Sequence, residues 1–234
     1  MKLTALVAVT AAACGRVGFD ASIDAAPDAP RDRFCAHAVQ QVPSDATSTL
    51  CMDFEDLPLD ALANQQVLSA GGHLYVRGSL GFETLAVVQD DIATTHAFRY
   101  APADVASCPG GCCYGDVFLD YGATPYVGHA HFEYDHYVVT NNGNWIGSMF
   151  WGGLNYPYMT NFVTPAFELG RWQHVTIDAD VGLAQPLVIT VDGVVRPNNA
   201  GTNDLSSGIN ATIGTFCWDA PTTGYVDNIW FWAR

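Results

Sequence analysis

Hydrophobic and polar residues alternate in short runs along the chain from about residue 50 onward, and these runs are rich in Val, Ile, Thr, Tyr, Phe and Trp. Such runs are typical of half-buried β-strands, in which successive side chains point to opposite faces. Gly, Asn, Asp and Pro separate the runs, and no long stretch keeps a helical period. The pattern predicts strands at 50–55, 72–77, 83–88, 96–100, 116–121, 129–140, 145–151, 158–164, 172–180, 187–195, 210–216 and 224–232.

Two connectors between these strands have the composition of tight hairpin turns. They are Asn141-Asn142-Gly143-Asn144 and Asp192-Gly193, and Asn and Gly tolerate the positive φ that short hairpins require. Many short strands at roughly 8–12-residue spacing favour a sandwich or a barrel. The sequence therefore predicts an all-β fold, an antiparallel two-sheet sandwich forming a single domain.

The N-terminal residues have a different composition from this body. Lys2 precedes a short apolar run and three alanines, which is the organisation of a secretory signal peptide, and the run is too short to span a bilayer. Small residues directly before Cys14 resemble the bacterial lipobox, which implies a lipidated Cys14; an ordinary cleaved signal is the alternative. The Ala-, Asp- and Pro-rich stretch that follows suits an extended tether. The expected division is a signal peptide at 1–13, a tether at 14–34 and a folded domain at 35–234.

This organisation predicts an exported protein that is lipid-anchored in the bacterial cell envelope, at the outer membrane or the cell surface, or otherwise secreted. Membrane contact is expected only through the N-terminal lipid. The chain is 49% hydrophobic and 14% charged, with a formal net charge of −15, and Lys2 is its only lysine. So acidic a surface repels nucleic-acid phosphates and anionic lipid head groups, which excludes nucleic acid as a partner, whereas cations or neutral glycans suit it.

Seven cysteines are present, and six remain once Cys14 is assigned to the lipid. In an oxidising compartment an even set is predicted to form disulfides. Cys35 with Cys51 is the preferred pair, because it would join the end of the tether to the first strand. A metal cluster at the Cys-Pro-Gly-Gly-Cys-Cys motif is the alternative to pairing Cys108 with Cys112 or Cys113. The disulfide candidates are Cys35, Cys51, Cys108, Cys112, Cys113 and Cys217.

Three stretches resemble concanavalin A-like domains of the LamG type. Residues 170–178 (GRWQHVTID) followed by 187–193 (LVITVDG) are similar to a hairpin of that family. Residues 211–214 (ATIG) with 224–231 (GYVDNIWF) resemble its closing strand, and 51–56 (CMDFED) resembles its opening strand. The resemblance implies a concanavalin A-like jelly roll, but a shared jelly roll does not imply a shared reaction.

The same resemblance implies a possible metal site. Jelly rolls of this kind bring the first and last strands together, and the family often holds structural calcium near them, which implies Asp53 and Asp227 as ligands with help from carbonyls and water. Carboxylate oxygens suit Ca²⁺, and an acidic extracellular chain would retain it. The alternative is that both carboxylates only bond to turn amides.

The segment His129–Tyr137 is the strongest candidate for chemistry. Alternation places His129, His131, Glu133, Asp135 and Tyr137 on one strand face. His-x-His is a workable spacing for zinc or copper, and Glu-x-Asp could supply acid/base carboxylates, although a solvated strand face has the same pattern. His174, on a strand whose Trp172, Thr176 and Asp178 share its face, is expected to be structural.

An enzyme on this face would be a polysaccharide-cleaving hydrolase or lyase. Its candidate catalytic residues are His131, Glu133, Asp135 and Tyr137. The laminarinase-type E-x-D-x-x-E signature would require a glutamate where Val138 stands, so the resemblance does not extend to that hydrolytic route. Catalysis is therefore the alternative interpretation and not the preferred one.

Binding requires less of the chain than catalysis. Aromatic rings stack on pyranose faces, and polar side chains bond to sugar hydroxyls. The preferred prediction is a non-catalytic surface or secreted module that recognises a carbohydrate or another protein. The aromatic residues expected to form its platform are Tyr137, Trp145, Trp151, Tyr156 and Tyr158.

Overall fold

The computed structural model describes residues 33–69, 71–78, 84–101, 115–121, 128–140, 145–151, 168–180, 188–196, 208–216 and 223–234. Within them the chain forms twelve strands, a short helix and one 3-10 turn. The elements are α1 (Phe34–Ala38), the 3-10 turn (Val39–Gln41), β1 (Ser48–Met52), β2 (Leu74–Gly78), β3 (Thr84–Val88), β4 (Ala97–Ala101), β5 (Gly115–Tyr121), β6 (His129–Thr140), β7 (Trp145–Trp151), β8 (Trp172–Asp180), β9 (Val188–Val191), β10 (Val194–Arg196), β11 (Ile209–Phe216) and β12 (Thr223–Ala233).

The strands form two antiparallel sheets. Sheet A has the order β10-β9-β8-β6-β12-β4-β3, and β1 also pairs with β12; sheet B has the order β2-β5-β11-β7. The first and last strands are neighbours, with Leu50 opposite Phe231. The predicted all-β, two-sheet antiparallel sandwich is therefore confirmed.

The core follows from the alternation of apolar side chains on the strands. Phe132 and Tyr134 of β6 and Ile177 of β8 are buried from one sheet, and Val117 and Leu119 of β5 are buried from the other; all belong to one apolar cluster. Burying apolar surface between two sheets is the main stabilising contribution in such a sandwich. The opposite face of sheet A is left to polar and aromatic side chains.

The predicted strand bounds hold best where alternation is uninterrupted. The strands at 129–140, 145–151 and 172–180 have the predicted limits. The first strand ends at Met52 and not at residue 55, because Phe54 has a φ of 58° and cannot continue an extended backbone. The predicted strand at 158–164 lies outside the described residues.

The two predicted hairpin turns have different outcomes. Asp192 and Gly193 have φ values of 51° and 72° and join β9 to β10, so the hairpin is confirmed and the predicted strand at 187–195 is two strands. Residues 141–144 lie outside the described residues, but a hairpin between β6 and β7 is wrong, because β6 belongs to sheet A and β7 to sheet B. An Asn-Gly signal indicates a turn, whereas the burial of inner faces decides which sheet each strand joins.

The N-terminal helix is fastened to the sandwich by a disulfide. Cys35 in α1 is bonded to Cys51 in β1, which confirms the preferred pair. The other candidates, Cys108, Cys112, Cys113 and Cys217, lie outside the described residues, as does Cys14. A helix of five residues is too short to show a period, so the sequence did not predict α1. None of the helices in the described ranges is long and apolar enough to cross a membrane.

Candidate functional site

The face of sheet A turned away from the core carries a continuous group of polar and aromatic side chains. Half-buried positions alternate with buried ones along both β6 and β8, which confirms the predicted shared face on each strand. We call this the polar face. Its central residues are His129, His131, Glu133 and Asp135 of β6, His174, Thr176, Asp178 and Asp180 of β8, and Trp230 and Trp232 of β12.

Strand register brings these residues together in rows across the sheet. His131 lies between Trp232 on β12 and Asp178 on β8. In the next row Glu133 lies between Trp230 and Thr176. Directly opposite residues of antiparallel strands share a face and are close enough to interact. The pairing of β6 with both β8 and β12 therefore assembles the site.

His131 is held by two carboxylates. Its Nδ1 donates to Asp178 Oδ1 at 2.8 Å, and its Nε2 donates to Glu133 Oε2 at 3.2 Å. The side chains of His131 and Glu133 are only 15% and 14% exposed. With a carboxylate on each ring nitrogen, the imidazolium form and its orientation are both fixed.

His174 also lies between two carboxylates. Its Nδ1 donates to Asp135 Oδ1 at 2.8 Å, and its Nε2 lies 3.5 Å from Glu133 Oε2. The other oxygen of Asp135 accepts a hydrogen bond from Asn228 Nδ2 at 2.7 Å. Glu133 is thus placed between two imidazoles, and the expectation that His174 is a hydrogen-bonded residue at the sheet surface agrees with these contacts.

His129 extends these contacts to the end of β8. We call the connected side chains the network, and they are His129, His131, Glu133, Asp135, His174, Asp178 and Asp180. Its Nε2 lies 3.1 Å from Asp178 Oδ1, and its Nδ1 lies 3.1 Å from Asp180 Oδ1. Asp178 therefore contacts both His129 and His131. The two histidines of the His-x-His spacing are engaged with carboxylates, and no three His, Cys, Asp or Glu side chains in the described ranges are arranged to hold a metal ion.

The contacts fix the charges of the network. Burial lowers the pKa of His131, but its bonds to Asp178 and Glu133 outweigh this and raise it to about 9. Burial likewise lowers the pKa of His174, and Asp135 and Glu133 raise it to about 10. Burial raises the pKa of Glu133, but the hydrogen bonds from the two histidines lower it to about 2. At neutral pH these groups are charged and paired.

Two indoles of β12 border the network. The Trp232 ring stacks on the His131 ring at a centroid distance of 5.6 Å and an interplanar angle of 19°, and Trp230 meets His131 edge-on at 5.1 Å. Trp232 is half-buried. Trp230 is only 6% exposed, and Cys51 of the disulfide lies opposite it in register. The indole N–H of Trp230 has no hydrogen-bond partner in the described part of the chain.

Tyr137 lies at the other end of the face in a packed aromatic row. Its ring meets Trp172 at 5.6 Å and Tyr225 at 6.0 Å, both edge-on. The segment between β3 and β4 is bonded to this row, because Trp172 Nε1 donates to the Ile92 carbonyl and the Tyr225 hydroxyl donates to Asp90. Tyr137 therefore packs against a second small apolar cluster.

The other predicted platform residues are not gathered around Tyr137. Trp145 and Trp151 lie on β7, which belongs to sheet B, whereas Tyr137 belongs to sheet A. Tyr156 and Tyr158 lie outside the described residues. The strands thus place the predicted aromatic residues on different sheets, and the indoles that contact His131 among the described side chains are Trp230 and Trp232.

Asp53 and Asp227 lie where β12 changes partners. β4 pairs with β12 up to Val226 and β1 pairs with it from Ile229, and β12 has an irregularity between Asp227 and Trp230. Asp227 accepts hydrogen bonds from the Asn228 amide at 2.7 Å and from the Thr95 hydroxyl at 3.3 Å. Asp53 accepts one from the Cys35 amide at 3.4 Å. Both carboxylates are buried and already bonded to protein groups.

Sequence reasoning missed the contribution of β12 to the site. Trp230 and Trp232 are two residues apart, so alternation alone places them on one face of a strand. Their position beside His131 depends on the pairing of β12 with β6, which joins segments roughly 100 residues apart in the chain. The sequence therefore indicated that Trp230 and Trp232 share a strand face, but it did not indicate that this strand lies beside β6.

No family model matches this chain, and no curated protein matches its sequence. Among solved structures, a mutant of alginate lyase Aly36B in complex with alginate trisaccharide is similar over 80% of this chain and 98% of that one, with a TM-score of 0.51 and 13% identity. Lectin UEA-II complexed with galactose is similar over 81% and 99%, with a TM-score of 0.47 and 10% identity. Cellulose induced protein Cip1 is similar over 78% and 96%, with a TM-score of 0.44 and 12% identity. The alginate lyase likeness shows the fold alone, and that fold is a concanavalin A-like jelly-roll sandwich.

Proposed function

We propose that this protein is a non-catalytic carbohydrate-binding module whose ligand lies on the polar face of sheet A. The observation that carries the proposal is the stacking of Trp232 on His131, an imidazole that Asp178 and Glu133 hold in place. An aromatic surface beside fixed polar groups is the combination that sugar recognition requires, because a pyranose has an apolar face and a rim of hydroxyls.

The fixed geometry favours binding. Each polar side chain of the network is oriented by a partner before any ligand arrives, so little side-chain freedom is lost on binding. Asp178 is 38% exposed and His174 is 40% exposed, so both reach the surface. The Asp178 carboxylate can accept hydrogen bonds from sugar hydroxyls while its Oδ1 keeps the contacts to His129 and His131.

The charge states support recognition over acid/base catalysis. A general acid or base works best with a pKa near the working pH. The pKa of Glu133 is lowered to about 2, and the pKa values of His131 and His174 are raised to about 9 and 10. A polysaccharide-cleaving enzyme using His131, Glu133, Asp135 and Tyr137 would need different charge states, and Tyr137 packs in the separate aromatic row.

The cellular location is part of the same proposal. The signal-like leader and Cys14 suggest export with a lipid anchor in the cell envelope, and the Cys35–Cys51 disulfide suits an oxidising compartment. At a cell surface a glycan or a surface protein is the natural partner. Mass spectrometry of the native protein would test lipidation, and an unmodified Cys14 in the mature chain would contradict it.

Calcium at Asp53 and Asp227 is a separate proposal. Two carboxylates are fewer ligands than Ca²⁺ requires, so carbonyl groups and water would have to complete the site. In its favour, burial and the nearby Asp135 and Glu55 raise the pKa of Asp227 to about 8, and a cation would relieve that repulsion. The melting temperature with calcium and with a chelator tests this. An equal change in melting temperature on adding calcium in wild type and in an Asp227→Asn variant would contradict the proposal.

The carbohydrate proposal is tested by glycan binding. The purified protein is screened on a glycan array, and each hit is titrated by calorimetry with wild type and Trp232→Ala. Loss of the stack should weaken binding about 5- to 10-fold, which corresponds to roughly 1 kcal/mol. Val195→Ala is the control, since Val195 is an exposed residue of β10 in the same sheet. Unchanged binding by Trp232→Ala would refute the site, and no binding to any glycan would refute the proposed function.

A further inference from the structure

We infer that the polar face selects uncharged glycans and discriminates against chains that carry uronates. This inference rests on the proposed function and names the ligand class of the same site. It follows from the balance of charged groups on the face, from the absence of arginine in the network and from the exposure of the outermost carboxylates.

The balance of charge in the network is negative. Four carboxylates lie in the network, those of Glu133, Asp135, Asp178 and Asp180. They are contacted by three imidazoles, those of His129, His131 and His174. Even with every imidazole protonated, one negative charge is left over. A uronate carboxylate placed here meets net repulsion, whereas a neutral sugar does not.

Among the described residues, the arginine that shares this sheet face is Arg99, which lies in the row of Tyr225 and Tyr137 with its guanidinium 6.0 Å from the Tyr225 ring. In the part of the chain that the structure describes, no ion pair or hydrogen bond joins an arginine to the four carboxylates of the network. Arg171 is held by Glu168 and Asp192, and Arg77 is held by Asp116 in sheet B. Bidentate arginine is the usual protein partner of a carboxylate ligand. Within the described residues, the network itself therefore contains no arginine that could pair with a uronate carboxylate.

The most exposed side chain of the network is a hydrogen-bond acceptor. Asp180 is 60% exposed, whereas His174 is 40%, Asp178 is 38% and His131 is 15% exposed. Carboxylate oxygens accept hydrogen bonds and cannot donate them while ionised. Sugar hydroxyls donate to such oxygens, and a uronate carboxylate cannot. The chemistry at the surface matches a polyhydroxylated, uncharged ligand.

The inference differs from what the shared fold would suggest. The structure with the TM-score of 0.51 is an alginate lyase in complex with alginate trisaccharide. The chain described here is acidic, with a formal net charge of −15, and the network on its polar face has four carboxylates against three imidazoles. Ligand class is a property of the side chains and not of the sandwich that carries them.

Direct comparison of neutral and uronate ligands tests the inference. The purified protein is titrated at low salt with neutral glucan, mannan, xylan and galactan oligosaccharides, and with alginate and polygalacturonate oligosaccharides of matched length. The neutral ligands should include the tightest binder, and both uronates should bind at least about tenfold more weakly. Asp180→Asn should reduce this difference by about threefold. Asp60→Asn is the control, because it removes the same charge from an exposed position outside the network.

The outcomes separate this inference from the proposed function. Uronates that bind as tightly as the best neutral glycan would overturn the selectivity and leave carbohydrate binding intact. An unchanged preference in Asp180→Asn would also overturn it, because the discrimination would not come from this face. Failure to bind any glycan would overturn both proposals together.

Discussion

His131 and Trp232 lie opposite each other on β6 and β12, with ring centroids 5.6 Å apart and planes 19° from parallel. Because Asp178 and Glu133 hold the imidazole from both nitrogens, the indole packs against a fixed surface. A rigid aromatic group beside oriented charges loses little freedom when a ligand binds.

The pKa of His131 should fall when Asp178 loses its charge. In Asp178→Asn one of the two carboxylates that raise this pKa is replaced by a neutral amide, so the value of about 9 should drop by about one pH unit or more. NMR titration of the histidine ring protons measures it. Asp60→Asn should leave the titration unchanged, and an unaltered pKa in Asp178→Asn would show that Asp178 does not control the charge.

The stability of the domain should decline at alkaline pH because of the two paired histidines. Their folded pKa values of about 9 and 10 lie above the usual value of 6.5, so the pairing contributes fully below pH 6.5. That contribution is lost as the pH rises toward 10. Thermal unfolding should show a smaller decline between pH 7 and pH 10 in the double variant His131→Gln/His174→Gln than in wild type. Parallel declines would contradict the prediction.

Asp227 should oppose folding at neutral and alkaline pH in the absence of calcium. Its folded pKa of about 8 lies above the ordinary aspartate value of 3.8, so its unfavourable contribution begins above pH 3.8 and is complete above pH 8. Asp227→Asn should therefore raise the free energy of unfolding by about 1 kcal/mol or more at pH 8 and have little effect at pH 3.5. Urea unfolding at the two pH values measures this. A variant that is less stable at pH 8 in chelator would disprove it.

Gly214 should not tolerate a side chain. Its φ is 145°, and a Cβ would collide with the Gly115 carbonyl and approach Asp116 Cα to 2.9 Å. Gly193 also has a positive φ, of 72°, but a Cβ there would meet nothing within 4 Å. Gly214→Ala should therefore destabilise the fold by at least about 2 kcal/mol more than Gly193→Ala. Equal losses in chemical denaturation would show that the close approach to β5 is not limiting.

Local pattern was sufficient where a strand was long and regular. β6 and β8 keep strict alternation over their whole length, so their bounds and exposed faces could be predicted. β1 was predicted too long because the positive φ of Phe54 interrupts a run that looks continuous in sequence. Residue type alone does not reveal that backbone conformation for a phenylalanine.

The site depended on information that local pattern does not contain. The prediction identified His131, Glu133 and Asp135, but it did not place Trp232 beside them, because strand pairing between distant segments is set by the burial of the whole core. The sequence predicted a hairpin between β6 and β7, but the two strands belong to different sheets, and local pattern could not show this for the same reason. The Cys35–Cys51 pair could be predicted because its two residues are only 16 positions apart.

The Cys35–Cys51 disulfide also decides how mechanical load enters the domain. A pull on the chain preceding Arg33 reaches α1 and passes through the covalent bond into β1, which is hydrogen-bonded along its length to β12. Tension is thereby delivered to the strand that carries Trp230 and Trp232, and not to a loop that could peel away. In the proposed function, the strand that carries the proposed glycan site is then also the strand that resists tension applied through the proposed N-terminal anchor.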